Sequence, residues 1–152
     1  MKIEFISNDS FSIFINKNYF KNVDYSDKEC IIEVVKNLIL KIKSKLNMCG
    51  FYKVKVYVNK KVGLFLDVIK IENIEFSNNV DLRVIVGLDE DIFYELDDIL
   101  FLSRDIPIRK LNDKFYVNVN DIDNIYDILE LGRYVYGDEL RDVLNKSRML
   151  QI

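Results

Sequence analysis

The chain has 152 residues, the length of one compact domain or of two small ones. Hydrophobic residues make up 49% of it and charged residues 31%, so it can bury a core and does not have the composition of a disordered segment. Histidine is absent, which excludes Ser-His and Cys-His nucleophiles, a histidine general base and zinc sites built with histidine.

The formal net charge of -3 is unevenly distributed along the chain. Residues 1–80 carry 13 lysines and 9 acids, a net charge of +4, whereas residues 81–152 carry 9 basic and 16 acidic residues, a net charge of -7. All six arginines lie in the second part, beginning at Arg83. This reversal of sign predicts two structural units whose faces meet different partners or each other. The alternative interpretation is that the charge difference reflects only variation among solvent-exposed residues and has no functional meaning.

The first part of the chain has the pattern of a sheet covered by one long helix. Its predicted elements, in chain order, are strands over residues 2–6 and 11–15, a helix between Ser26 and Asn47, and a hairpin with strands over residues 52–58 and 64–69. Ser26 and Glu29 form a capping-box signature at the start of the helix, and Gly50 follows its end. The order β-β-α-β-β predicts an N-terminal α+β unit over residues 1–72.

A short linker over residues 73–80 is predicted to lead into a second α+β unit over residues 81–152, of the type β-α-β-β-α. Its predicted elements are a strand with Leu82, Val84 and Val86, a helix opened by acids at 89–91 and carrying Ile92, Phe93, Leu96, Ile99 and Leu100, strands over 106–111 and 114–119, a helix from Asp121, and a last helix with Leu140, Val143 and Leu144. Residues 133–136 between two glycines fit either a short strand or a linker between helices.

Cysteine usage and hydropathy predict a soluble protein whose cysteines are reduced. Cys30 falls in the predicted first helix and Cys49 beyond its end, too far apart for a disulfide. No stretch approaches the roughly 20 apolar residues of a membrane span. The first residues alternate like a strand and lack the apolar region of a signal peptide. We therefore expect a cytoplasmic protein that does not associate with membranes.

Acidic residues form the one cluster that could hold a metal. They are Asp89, Glu90, Asp91, Glu95, Asp97 and Asp98, whose carboxylates suit a hard cation such as magnesium. On a helix, however, neighbouring side chains point about 100° apart, which favours a solvated or protein-docking face. The five glycines match no phosphate-binding spacing. An enzyme could use carboxylates alone, but we expect no enzyme and no cofactor.

The hairpin combines basic and aromatic residues in a way that allows nucleic-acid binding. The candidate contact residues are Lys53, Lys55, Tyr57, Lys60 and Lys61, which could stack bases and neutralise phosphates. Alternation places Lys53, Lys55 and Tyr57 on the face away from the valines, where an ordinary sheet also places its lysines. A sheet-based module for a small ligand or a nucleic acid is therefore the alternative function.

Three segments of the second part, residues 94–104, 114–119 and 129–135, resemble motifs of the MecA-type adaptor proteins. Residues 94–104, Tyr-Glu-Leu-Asp-Asp-Ile-Leu-Phe-Leu-Ser-Arg, are similar to that family's F-x-D-F-E-D-V-I-x-L-S helix. Residues 114–119, Lys-Phe-Tyr-Val-Asn-Val, resemble its N-R-Y-Y-L-Y-V strand. Residues 129–135, Leu-Glu-Leu-Gly-Arg-Tyr-Val, resemble its L-x-E-Y-G-K-x-I segment.

The resemblance implies a non-enzymatic adaptor in regulated proteolysis. Such adaptors bind substrate proteins through an N-terminal domain and dock through a C-terminal domain onto a Clp-type ATPase unfoldase, to which they deliver those substrates. Carried onto this sequence, the implied contact residues are Asp97, Asp98, Arg104, Tyr116, Arg133 and Tyr134. Exposed helix charges and a packed strand aromatic are the structural alternative for these six residues.

Overall fold

Two five-stranded sheets and two α-helices make up the regular structure of the described residues, which are 1–71, 82–100, 102, 105–122 and 132–150 of the computed structural model. This composition confirms the predicted α+β class. The chain divides into two compact units, Met1–Asp89 and Glu90–Ile152.

The described residues of the first unit form five strands and one helix. They are β1 (Lys2–Phe5), β2 (Ser10–Asn16), α1 (Lys28–Lys45), β3 (Phe51–Asn59), β4 (Gly63–Ile71) and β5 (Leu82–Gly87). The strands lie in the order β1-β2-β4-β3-β5. Every pair is antiparallel except β3 with β5, which is parallel.

The core of the first unit lies between α1 and one side of this sheet. The apolar residues of α1 that are buried there are Ile31, Val35, Leu38, Ile39 and Ile42, one stripe at helical spacing. Opposite them, alternate residues of the central strands, such as Ile15, Val54 and Leu66, are buried. Each fully buried aliphatic side chain stabilises the fold by about 1.5–3 kcal/mol relative to exposure. The helix covers one side of the sheet.

The helix begins one residue later than the capping-box signature predicts. Asp27 is the N-cap, and its carboxylate accepts hydrogen bonds from the backbone N–H groups of Glu29 and Cys30 at 3.0 and 3.4 Å. A carboxylate suits this position because it is attracted to the positive end of the helix dipole. The prediction that Ser26 is the N-cap was wrong. Ser26 and Asp27 are both favourable N-cap residues, and the sequence alone does not show which of the two takes that position.

The turn between β3 and β4 fixes the register of the hairpin. The Asn59 side chain accepts from the N–H groups of Lys61 and Val62 at 3.0 and 3.1 Å. Gly63 has φ +138°, and a Cβ there would come within 2.1 Å of the Ile15 carbonyl oxygen on β2. Only glycine fits this position. The turn therefore determines which residues of the two strands share a side of the sheet.

The strand at 82–87 belongs to the first sheet, whereas the sequence pattern placed it at the start of the second unit. It pairs with β3 from Tyr52 opposite Leu82 to Tyr57 opposite Gly87. Leu82 and Val86 are buried in the core of the first unit. The alternation was recognised correctly, but its pairing partner is distant in sequence and leaves no local signal. The predicted linker, 73–80, falls outside the described residues.

The second unit is built from a second antiparallel sheet and a short helix. Its elements are β6 (Phe93–Leu96), β7 (Arg109–Leu111), β8 (Lys114–Asn118), β9 (Gly132–Val135), α2 (Gly137–Lys146) and β10 (Arg148–Met149), with one 3₁₀ turn at Val119–Asp121. The strands lie in the order β10-β7-β8-β6-β9. The last helix agrees with the prediction, β9 matches the strand alternative for residues 133–136 to within one residue, and β10 was not predicted.

The prediction of a helix after the acids at 89–91 is wrong, because strand β6 occupies Phe93–Leu96. Tyr94 and Leu96 are buried, whereas Phe93 and Glu95 between them are only partly buried, the alternation of a strand. A short apolar run fits both periods, and pairing with β8 and β9 decides between them. Of the helix predicted from Asp121, the described part is the end of the 3₁₀ turn and an extended Ile122; residues 123–131 lie outside the described residues.

We expect Asp27→Ala to destabilise the first unit by about 1 kcal/mol, since two N–H groups at the start of α1 lose their acceptor. Ser26→Ala is the matched control and should change the free energy of unfolding by less than about 0.5 kcal/mol. Urea unfolding followed by circular dichroism measures both. A larger loss for Ser26→Ala would show that the cap lies there instead.

Candidate interaction surfaces

The side of the first sheet opposite α1, here called the outer face, carries basic, aromatic and apolar side chains together. Its principal residues on β2 to β5 are Phe14, Phe51, Lys53, Lys55, Tyr57, Phe65, Asp67, Ile69, Arg83 and Ile85. Residues paired across neighbouring strands point to the same side, so the register determines this set. Lys53, Lys55 and Tyr57 share one side of the sheet, as alternation predicts.

One row of the outer face concentrates positive charge beside β5. Arg83, Lys53 and Ile69 lie opposite one another across β5, β3 and β4. Neither Lys53 nor Arg83 forms an ion pair with any residue that the structure describes. Like charges directly opposite each other in a sheet are destabilising. Neither cation has a described acid opposite it in this row, so the pair would gain from an acidic partner.

The second row mixes charge with exposed apolar surface. It comprises Ile85, Lys55 and Asp67, and the carboxylate opposite Lys55 reduces the net charge of that row. Ile69 and Ile85 remain 44% and 40% exposed, although their side of the sheet is built from the same strands that bury valines on the other side. The two exposed isoleucines beside the basic pair give this face both apolar and charged groups, the combination that protein interfaces use.

The aromatic side chains of the outer face form a third row across β2, β4 and β3. Phe14, Phe65 and Tyr57 lie opposite one another, and the Phe14 and Phe65 ring centroids are 4.9 Å apart. Phe65 is only 3% exposed, and the other two rings are partly buried. These rings are packed side chains, not open platforms for nucleic-acid bases.

The other two lysines of the nucleic-acid set lie at the turn beyond β3. Lys60 is paired with Asp89 at 3.6 Å, with both side chains mainly exposed. An exposed pair of this kind contributes little stability. The five candidate residues thus divide into three on the outer face and two at the turn, and Asp89 reduces the positive charge of the turn.

A partly buried carboxylate organises the polar side chains of the second unit. Glu95 on β6 is 13% exposed and accepts a hydrogen bond from the Tyr116 hydroxyl at 2.8 Å. Arg133 on β9 donates to both Glu95 oxygens, at 3.0 and 3.1 Å, and also pairs with Glu139 on α2. Bidentate arginine pairs are the strong, geometrically defined kind. Arg133 therefore connects the sheet to the helix.

This arrangement shifts the pKa values of its members. Burial raises the pKa of Glu95, but the hydrogen bonds from Arg133 and Tyr116 outweigh burial and hold it below its usual range. Burial, followed by the hydrogen bond to Glu95, raises the pKa of Tyr116 to about 12. The pair with Glu139 is the largest of the effects that raise the Arg133 pKa.

The structure distributes the implied adaptor contact residues over different environments. Asp97 and Asp98 are exposed; Asp97 pairs with Lys114, and Asp98 accepts from the Leu100 N–H at 2.9 Å. Tyr116 is buried and Arg133 is held between two carboxylates, so both have structural roles.

Tyr134 and Arg104 complete the set. Tyr134 packs edge-on against Tyr94, with ring centroids 5.0 Å apart. Arg104 lies outside the described residues. Of the five that the structure describes, Asp97, Asp98 and Arg133 are exposed at the surface of the second unit, and Arg133 is bound there by two carboxylates.

Sequence reasoning did not single out Ile69, Arg83 or Ile85. Alternation within β5 indicates that Arg83 and Ile85 share a side, but only the pairing with β3 shows that this side is the one that carries Lys53 and Lys55. Local alternation shows Ile69 only as one residue of the β3–β4 hairpin. The missing signal is a contact between strands that are far apart in sequence.

The described residues contain neither a metal-binding cluster nor a helix able to cross a membrane. No group of three or more acidic or cysteine side chains in those residues is arranged to hold a metal ion. Neither helix in the described part of the chain combines the length and the apolar character that a membrane crossing requires.

Comparison with known proteins gives no match: no family model, no curated protein sequence and no solved structure is similar to this chain. The resemblance to the MecA-type adaptors is thus a likeness of short motifs, and the first three residues of the segment compared with that family's helix, 94–96, belong to strand β6.

We expect Arg133→Met to destabilise the second unit by about 2 kcal/mol, between the values for exposed and buried ion pairs. The cause is that Glu95 keeps its burial but loses its bidentate partner. Arg141→Met is the control, because Arg141 and its partner Asp138 are both mainly exposed. Hydrogen exchange of the β6 and β9 amides measures the effect. Equal protection in the two variants would contradict the structural role of Arg133.

We expect the stability of the second unit to fall in acid because of Glu95. Its folded pKa lies below the unfolded value of about 4.3, so the stability it contributes is present above that value and is lost as the pH falls through the folded pKa. Glu95→Gln should be less stable than the native protein at neutral pH, and the difference should shrink in acid. Thermal unfolding at several pH values tests this, with Asp142→Asn, an exposed site, as the control. A difference independent of pH would contradict it.

Proposed function

We propose that this protein acts without catalysis, by binding partner proteins, and that the outer face of its first unit binds one of them. The observation that carries the proposal is the opposed pair Lys53 and Arg83, beside the exposed Ile69 and Ile85. Apolar contacts supply affinity in protein interfaces, and complementary charges set specificity and association rate.

Net charge supports an acidic partner for the first unit. Residues 1–89 carry 14 basic and 11 acidic side chains, a net charge of +3, whereas residues 90–152 carry 8 basic and 14 acidic side chains, a net charge of -6. Opposite signs on two units suit a protein that meets two different partners. The first would be acidic at its contact surface and the second basic.

An adaptor that delivers substrates to a Clp-type unfoldase is the specific form of this proposal that the motif resemblance suggests. In that form the first unit binds the substrate protein and the second unit contacts the unfoldase. The exposed Asp97 and Asp98 support such a contact for the second unit. Tyr116 and Arg133 would then act indirectly, because they hold the sheet and α2 together.

Nucleic-acid binding by the outer face is the second candidate. The shared side of Lys53, Lys55 and Arg83 favours it, since three cations in adjacent rows can neutralise phosphates. The packed aromatic row and the two exposed isoleucines favour a protein. Salt separates the two, because phosphate contacts make binding fall steeply as the salt concentration rises.

Lys53→Glu tests the proposed function with a variant that should not unfold. It replaces a like-charge pair by an opposite pair, so the first unit should become about 0.5 kcal/mol more stable. Partner binding should nevertheless be lost, because the acidic partner now faces a carboxylate. Proteins retained from a lysate of the native cells by immobilised full-length protein are identified by mass spectrometry, after nuclease treatment.

Lys36→Glu, an exposed change of the same charge on α1, is the matched control. A partner retained by the native protein and by Lys36→Glu, but absent with Lys53→Glu, supports the proposal. A partner that disappears on nuclease treatment would support the nucleic-acid candidate instead. Equal retention by all three proteins would overturn the assignment of the outer face.

A further inference from the structure

The four edges of the two sheets in the described residues are not equally protected against pairing with another chain. Natural sheets protect their edges by shortness, by charged side chains or by cover. In the first sheet, β1 has four residues, two of them the exposed Lys2 and Glu4. β5, at the opposite edge, has six residues and includes the run Val84-Ile85-Val86, which contains neither charge nor proline.

The edges of the second sheet are protected in the same ways as β1. β10 has two residues. β9 has four, and its Arg133 lies between Glu95 and Glu139. β5 is thus the longest and least charged edge strand among those that the structure describes. No strand in the described part of the chain pairs with its outer edge.

We infer that the outer edge of β5 accepts an extended acidic segment of the partner protein as an added strand of the first sheet. An edge strand presents backbone N–H and C=O groups in a row, and an incoming strand satisfies them. The single charge on β5, Arg83, points to the outer face and does not block the approach of a strand within the plane of the sheet.

The side chains around β5 define the sequence pattern of the incoming strand. Its residues alternate between the outer face, beside Arg83 and Ile85, and the α1 side, beside Val84 and Val86. The outer-face positions adjoin the rows that contain Lys53 and Lys55, so acidic residues fit there. The positions beside Val84 and Val86 favour apolar residues. The pattern is therefore an alternation of acidic and β-branched apolar residues.

This inference deepens the proposed function, because it names the mode of binding and the chemistry of the partner segment at the outer face. It also explains why like charges lie opposite each other at Lys53 and Arg83. Acidic side chains of an added strand would lie next to Arg83. They would supply the opposite charge that this row of the sheet lacks and so reduce the repulsion between Lys53 and Arg83.

The test uses a synthetic peptide in which glutamate alternates with valine, titrated into the full-length, isotopically labelled protein. Amide resonances of β5 should shift on titration. Two further peptides carry N-methyl groups on alternate backbone amides. In one peptide the glutamate amides are methylated, and in the other the valine amides are methylated. Because a strand hydrogen-bonds its neighbour through every second residue, one methylated peptide should lose binding and the other should retain it. Equal behaviour of the two methylated peptides, or unshifted β5 amides, would overturn the inference.

Arg83→Glu tests the charge pattern. It should weaken binding of the glutamate peptide about fivefold, the scale of one exposed charge pair, and should favour a peptide in which lysine alternates with valine. Arg141→Glu, on the exposed side of α2, should leave both affinities unchanged. Unchanged binding by Arg83→Glu counts against the inference. β5 amides protected in the free protein in a concentration-dependent manner would also overturn it, because the edge would then pair with a second copy.

The two proposals can fail separately. If Lys53→Glu loses its partner protein while the peptides leave β5 unperturbed, the outer face binds its partner by side chains alone and strand addition is wrong. If the peptides bind as expected while no protein distinguishes Lys53→Glu from Lys36→Glu, the edge accepts a strand and the outer face is not the partner-binding surface.

Discussion

The parallel pairing of β3 with β5 is the contact on which the first unit and its candidate surface depend. It places Leu82 and Val86 in the core beneath α1, and on the other side it places Arg83 next to Lys53. Without β5, the outer face would have one lysine in the row of Ile69 and no opposed pair. A single register thus determines both the completeness of the core and the charge pattern of the surface.

The second unit depends on a different kind of constraint. Glu95 lies in a sheet where a carboxylate is costly to bury unless it is paired, and Arg133 and Tyr116 both provide hydrogen bonds to it. Because Arg133 also contacts Glu139, the same cation holds β6, β9 and α2 together. The polar residues of this unit that resemble an adaptor's contact residues therefore have a structural use that their sequence pattern does not reveal.

Local patterns predicted what local contacts determine. The helix α1 and the β3–β4 hairpin follow from periodicity over neighbouring residues, and the side on which Lys53, Lys55 and Tyr57 lie follows from alternation alone. The identity of β6 as a strand and the membership of β5 in the first sheet follow from pairings with β8, β9 and β3, which no window of sequence contains. The shared surface of Ile69 and Ile85 could not be predicted for the same reason. Both residues lie beside β3, but the pairing that brings Ile85 there is between strands distant in sequence.

The change in charge near residue 80 is a misleading place to divide this chain. A fragment that stops at residue 72 would retain α1 and four strands but lack the strand that fills the core at Leu82 and Val86. Its truncated sheet would end at β3, whose valines and backbone groups would be open to solvent and to other copies, a cause of insolubility. Separate production of the basic half requires the sequence through Asp89, including acidic residues that composition alone assigns to the other half.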